Sequence, residues 1–250
     1  MGEYVGGYCD APGKLFNQGL FEESSEKKHR LGTIRILDDG RVYAYALAGT
    51  ALYAGLLTEG AAADTLAVEK AVAVQAEVGD AHVHITYGAG TTAVANYFAD
   101  GYLCSAKVAV YPGPMYKIRS HIAAVSGATL DVHLYDKIRE ILTTSCYVSM
   151  IRNPQAGVIL HTDAAPLSFL TGVPPIDVTN AYYFWNQVKG MCSLALAGTE
   201  LPGVVCVGSA TAGSVMPLAT VGTQAPCGVF TMEGVTDTWH TFVMLSIPGY

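Results

Sequence analysis

Leu31 to Gly49 gives the clearest alternation of apolar and polar positions in the chain. Ile34 and Ile36 flank Arg35, and Tyr43 and Tyr45 flank Ala44, a period of two. Between the runs lies Asp38-Asp39-Gly40-Arg41. Gly accepts positive φ without strain and Asp tolerates it better than most, so the pattern predicts a hairpin with a two-residue type I′ turn at Asp39-Gly40. That register sets Asp38 opposite Arg41, Ile36 opposite Tyr43 and Ile34 opposite Tyr45, giving one aliphatic-aromatic face. Further runs of strand type follow. Ala51–Leu57 is short and apolar, Ala71–Val78 alternates loosely, and Ala81–Tyr87 alternates cleanly. Leu103–Tyr111 closes on Pro112-Gly113-Pro114, Tyr116–Ile122 turns at Ser126-Gly127, and Thr129–Tyr135 precedes Cys146–Ile151. Turn signals at this spacing indicate a sandwich or barrel. Glu59–Glu77, Thr92–Phe98 and Lys137–Leu142 carry weaker patterns that allow a helical turn or a short helix.

A change of composition divides the chain. Residues 156–250 hold five acids and one base, so this segment must bury its surface within a fold or against partners. Strands at Ala156–His161, Tyr182–Val188, Met191–Leu196, Val204–Val207, Gly228–Met232 and Thr238–Ile247, joined by Gly/Pro turns, predict a compact β module there. The expected organisation is an extended N-terminal arm over 1–30, a β-barrel or sandwich domain over 31–155 and a charge-poor β module over 156–250. The soft boundary falls near Asn153-Pro154. Within the arm, Phe16, Leu20 and Phe21 are large and apolar and need a surface to lie on, either in this chain or in a neighbour.

The 250 residues are half apolar and only 14% charged, which supplies a sizeable core. The net charge of −7 argues against nucleic acid as a partner, because such binding needs clustered Lys and Arg to displace counterions. The densest basic cluster, Lys27-Lys28-His29-Arg30, follows directly on Glu22-Glu23-Ser24-Ser25-Glu26 and is locally neutralised. The N-terminus MGEYVGGYCDAPGK has neither the basic start nor the apolar run of a secretory signal. No membrane association is expected, since the uncharged stretch Leu201–Met232 is broken by Pro202, Pro217 and Pro226. The six cysteines form no C-x-x-C pair, and reduced, mostly buried thiols are expected.

Candidate chemistry is sparse. His82-Val83-His84 places two imidazoles on one face of a strand, a geometry that metals use, with Asp80 in phase as a third ligand. The polar face of a half-buried strand explains the same pattern more simply, so the expectation is no metal. His161-Thr162-Asp163 is in phase at a strand end, and the same reading applies. No G-x-S-x-G identifies a nucleophile. Gly88-Ala89-Gly90 lacks the third glycine of a dinucleotide fingerprint and the lysine of a P-loop. The expectation is therefore a protein that is not an enzyme, with no catalytic residues and no cofactor. Tyr182-Tyr183-Phe184-Trp185 is the stronger signal, because a strand with bulky residues on both faces has two surfaces to cover. Two readings stay open: a strand buried between two layers, or one with a face in a subunit interface, where Tyr and Trp are enriched. The interface candidates are Phe16, Leu20, Phe21, Tyr183, Trp185 and Trp239.

These patterns together resemble structural proteins of tailed bacteriophages. The residues that carry the resemblance are Leu31-Gly32-Thr33, Leu37-Asp38-Asp39-Gly40-Arg41, Tyr43, Tyr45, Ala48-Gly49 and Leu52 through Ala54-Gly55-Leu56. They continue through Asp131, Leu134, Leu142–Ser145, Val148-Ser149, Asn153-Pro154 and Gly157-Val158, and then Tyr182–Gly190. The resemblance is one of spacing over most of residues 30–250. It implies a virion component of the capsid-decorating (cement) or head-fibre type, with β-barrel or open β-tulip modules. It further implies a homotrimer bound to the major capsid protein on the capsid surface and assembled in host cytoplasm. An adhesin that binds host surface glycan through Tyr111, Tyr116 and Tyr135 would share the composition, as would a hydrolase using His161 or His84.

Overall fold

The computed structural model describes residues 4–5, 8–9, 16–62, 67–88, 93–106, 112–125, 127–162, 168–219, 224–233 and 240–250. The described chain is all β and divides into two compact units. One comprises Met1–Ala62 with Pro154–Tyr250, and the other Ala63–Asn153. This division differs from the one composition suggests. The two units meet at Asn153 and Pro154, and residues 31–62 group with the C-terminal segment rather than with the barrel that follows them. The reason is strand pairing. Strand β4 (Val42–Ala48) pairs with β12 (Ala156–Leu160) and with β14 (Tyr183–Ala195), more than a hundred residues away.

The inserted unit is a closed six-stranded barrel of β6 (Lys70–Val74), β7 (His82–Thr86), β8 (Tyr102–Ala106), β9 (Pro112–His121), β10 (Thr129–Leu134) and β11 (Tyr147–Ile151). Its order is β10-β7-β6-β11-β8-β9, which leaves no open edge. The period of two sends Val83, Ile85, Leu130, Val132, Leu134, Tyr116, Ile118, Val148 and Met150 inward, where they pack with Phe98. The segment Lys137–Leu142 is a loop with no helical turn, and residues 95–100 form turns. Alternation in the flanking strands outweighs the weak helical patterns there.

The other unit is a ten-stranded sheet. From one end it runs β13 (Leu170–Gly172), β5 (Thr58–Glu59), β12, β4, β14, β18 (His240–Ser246), β17 (Pro226–Phe230), β15 (Val205–Gly208) and β16 (Val215–Pro217), with β3 (Ile34–Ile36) pairing with β4. The thirteen-residue β14 is its spine. Its first half pairs with β4 and its second half with β18, and Lys189 is paired in both registers. Single bridges, Val173 to Gln187 and Leu196 to Val215, bring each end of the sheet back to β14. A buried hydrogen-bonded layer ties the first curl. The Thr58 hydroxyl donates to the carbonyl of Gly172 (2.8 Å), Asn186 Nδ2 to Thr58 Oγ1 (3.2 Å) and Gln155 Nε2 to the carbonyl of Thr171 (2.9 Å). Two short strands, β1 (Tyr4–Val5) and β2 (Tyr8–Cys9), pair with each other.

The hairpin forms, in a register one residue away from the expected one. Ile36 pairs with Val42, Arg35 with Tyr43 and Ile34 with Ala44. The loop is three residues, Asp38-Asp39-Gly40, with Gly40 at φ +83° and the Asp39 carboxylate accepting from the Arg41 amide (3.0 Å). A slip of one exchanges the faces. Ile36 is thereby exposed, whereas Arg35 is buried with Leu37, Tyr43 and Tyr45 on the inner face.

Candidate functional site

Residues 16–31 lie across that inner face of their own chain. Phe16 meets the Trp185 ring edge-on at 5.1 Å, and the Arg35 guanidinium stacks over both rings at 4.8 Å and 5.5 Å. Gln18 is the clasp. Its carbonyl accepts from Arg35 Nη1 (2.9 Å) and Trp185 Nε1 (3.2 Å), its Oε1 accepts from the Tyr45 hydroxyl (2.6 Å), and its Nε2 donates to the carbonyl of Tyr183 (2.9 Å). Phe16, Leu20 and Trp185, named as interface candidates, are covered within their own chain. Of the two readings of the aromatic run, the layered one holds. Phe184 packs with Ala46, Val158 and Val178, while Trp185 packs with Phe16 and Leu20. Tyr183 is half-buried and stacked on Tyr45. Phe21 stays 49% exposed, and Trp239 lies outside the described residues.

The exposed apolar surface lies elsewhere on the same unit. Across β14, β18 and β17, Met191 pairs with Met244 and Met244 with Val229, while Phe242 lies opposite Ser193. Met191, Phe242 and Met244 are 43%, 44% and 47% exposed, and Val229 and Met232 extend the stripe. The reverse face of these strands, with Cys192, Leu194, Val243, Leu245 and Phe230, is core. The pattern Thr241-Phe242-Val243-Met244-Leu245 thus carries large apolar residues on both faces, the argument made for Tyr182–Trp185, and here one face is open. Large exposed apolar patches are suited to contact with a partner, and methionine adapts its shape to its neighbours.

The buried polar groups pair with one another inside the sheet unit. His161 Nδ1 lies 3.0 Å from Glu59 Oε2 with both side chains out of solvent, and Gly208 is packed against the imidazole. The Ser209 hydroxyl donates to the carbonyl of Thr211 (3.1 Å). The pair joins β5 to the end of β12. Asp163 lies outside the described residues. Cys206 and Cys227 sit on adjacent strands with sulfurs 3.4 Å apart, both as free thiols. Burial pushes the Cys206 thiol well up, and burial holds Cys192 up at about 12, so neither is a thiolate near neutral pH. Of the tyrosines assigned to a glycan groove, Tyr116 is wholly buried and Tyr111 lies outside the described residues.

The barrel holds the second cluster. His82 and His84 point outward from β7, and β10 places Asp131 directly opposite His84 and His133 directly opposite His82. His84 Nδ1 is 3.7 Å from Asp131 Oδ1, and His133 Nε2 is 3.4 Å from Asp131 Oδ2. The expected partner Asp80 is occupied in a turn, where it accepts from the Glu77 amide (2.8 Å). Sequence spacing missed Asp131 and His133 because they come from another strand. The usable signal was a second alternating strand with polar Asp131 and His133 at the same period.

Comparison with known proteins finds no family model, no curated protein and no solved structure that matches the chain. Among the described residues, no helix is long and apolar enough to cross a membrane.

Proposed function

We propose that this protein is a non-enzymatic virion structural protein that decorates and stabilises a phage capsid, binding the major capsid protein and further copies of itself. The observation that carries the reading is the open apolar stripe of Met191, Met244, Val229 and Phe242. It lies on paired strands, is flanked by Lys189 and His240, and offers a partner buried apolar area rather than chemistry. The resemblance in sequence spacing to phage decoration proteins supplies the partner class. It also supplies the homotrimer and the reading of the twice-curled sheet as a tulip-like module.

The experiment is co-sedimentation of the purified chain with particles assembled from the major capsid protein. The chain is expected to pellet with particles, and the Phe242→Glu/Met244→Glu double variant is expected to stay in the supernatant while retaining its circular dichroism. Equal pelleting of folded variant and parent contradicts the assignment of the stripe. Failure of the parent to pellet contradicts the function.

A further inference from the structure

We propose that the outer face of the β7–β10 pair binds a divalent transition-metal ion of the Zn2+ type, with His82, His84 and Asp131 as ligands and His133 positioning the carboxylate. The proposal is independent of the apolar stripe and of the virion reading.

Donor atoms of His82, His84 and Asp131 lie within 4.8 Å of one another. A tetrahedral ion with bonds of about 2.0–2.1 Å needs neighbouring donors about 3.3 Å apart, so small rotations of half-exposed side chains are sufficient. The 3.7 Å between His84 Nδ1 and Asp131 Oδ1 is already close to that separation. Asp131 Oδ1 is shielded from solvent and has no hydrogen-bond partner among the described residues, although its carboxylate stands between two imidazoles. A shielded carboxylate oxygen without a donor is costly unless a cation completes it. The other oxygen, Oδ2, faces His133 Nε2 at 3.4 Å, the arrangement by which an outer imidazole fixes a ligating carboxylate.

Both strands of the scaffold are paired on either side. β7 is paired on its other side with β6, where Val74 lies opposite His84, and β10 is paired on its other side with β9, where Val132 lies opposite His121. All four side chains therefore project from paired strands of a closed barrel rather than from loops, with His82 at the start of β7 and His133 near the end of β10. Two nitrogens and one oxygen suit Zn2+, Ni2+ or Cu2+, whereas Mg2+ and Ca2+ want oxygen sets. About a third of the His84 and Asp131 side-chain surface is open, which gives an ion an entry path and leaves a fourth position for water.

The test uses the full chain with Cys9 and Cys104, the latter an exposed thiol, changed to Ser so that metal bound to sulfur does not confuse the readout. After treatment with a chelator, Zn2+ is titrated by calorimetry, and Co2+ is added to read its ligand-field absorption. One equivalent of Zn2+ is expected to bind, Co2+ to give the intense visible bands of a four-coordinate site, and Zn2+ but not Mg2+ to raise the thermal midpoint. His84→Gln and Asp131→Asn, on the outer face of the barrel, are expected to keep the fold and lose all three signals. His133→Gln is expected to weaken binding about 10–100-fold, the size of an outer-sphere loss. Absence of stoichiometric binding by the parent overturns the proposal without recourse to any variant. Binding that survives in folded His84→Gln, or an equal response to Mg2+, overturns it as well.

Discussion

Arg35 shows how much a single position can turn on the hairpin loop. Read from the sequence, it is the polar residue between two isoleucines and belongs in water. A three-residue loop in place of a two-residue one carries it inside, onto Phe16 and Trp185, and carries Ile36 out. The alternation was legible, but its phase was not, because Asp-Asp-Gly serves both loop lengths and no neighbouring residue in the sequence arbitrates. Gly208 was equally silent. A Cβ there would run into the His161 ring, so Gly208→Ala must displace the imidazole from Glu59. It is expected to lower stability by about 1–3 kcal/mol in urea denaturation, the range for overpacking a close contact. Protonation supplies a second residue-level test. Burial holds the imidazoles of His121 and His29 below their ordinary value of 6.5. His121 Nε2 accepts from the Phe98 amide (3.0 Å), a bond only an unprotonated nitrogen can make. The unfolded chain therefore takes up protons first as pH falls, and stability is full above about pH 6.5 and declines below it. Thermal midpoints measured downward from neutrality are expected to drop through that window, and a midpoint that rises there contradicts the assignment.

At the level of elements, the aromatic run of β14 announced that both faces of the strand needed cover, and it did not say by what. The cover is residues 16–31, so a segment read as an arm is a layer of the fold. Phe16→Ala is expected to cost about 3–5 kcal/mol, the range for truncating a buried aromatic, and to shift Trp185 emission to the red. An emission spectrum unchanged from the parent would contradict the packing of Phe16 on Trp185. The individual strands of the barrel were readable because Val83, Ile85, Leu130 and Val132 keep a strict period. Their partners were not, since register between distant strands leaves no mark in either one alone. The His84–Asp131 and His82–His133 neighbourhood is the direct consequence. The pair of imidazoles was visible, and the carboxylate that makes it a candidate site came from a strand nearly fifty residues on.

For the whole molecule, composition found the second unit boundary and missed the first. Charge depletion marked residues 156–250 as a segment apart, but β4 carries too few residues to shift the composition of its own neighbourhood. The stripe on β14, β18 and β17 belongs to this scale, because it exists only once three strands are side by side. Self-association is expected to depend on it. Sedimentation velocity should show trimers of the parent and monomers of Met244→Glu, and a trimer that survives that change would separate assembly from the stripe. The central claim is that the chain is a component of a particle surface, and the direct measurement is its copy number in purified virions relative to the major capsid protein, by quantitative mass spectrometry. The account predicts a copy number comparable with that of the capsid subunit; absence of the chain from purified particles would contradict it.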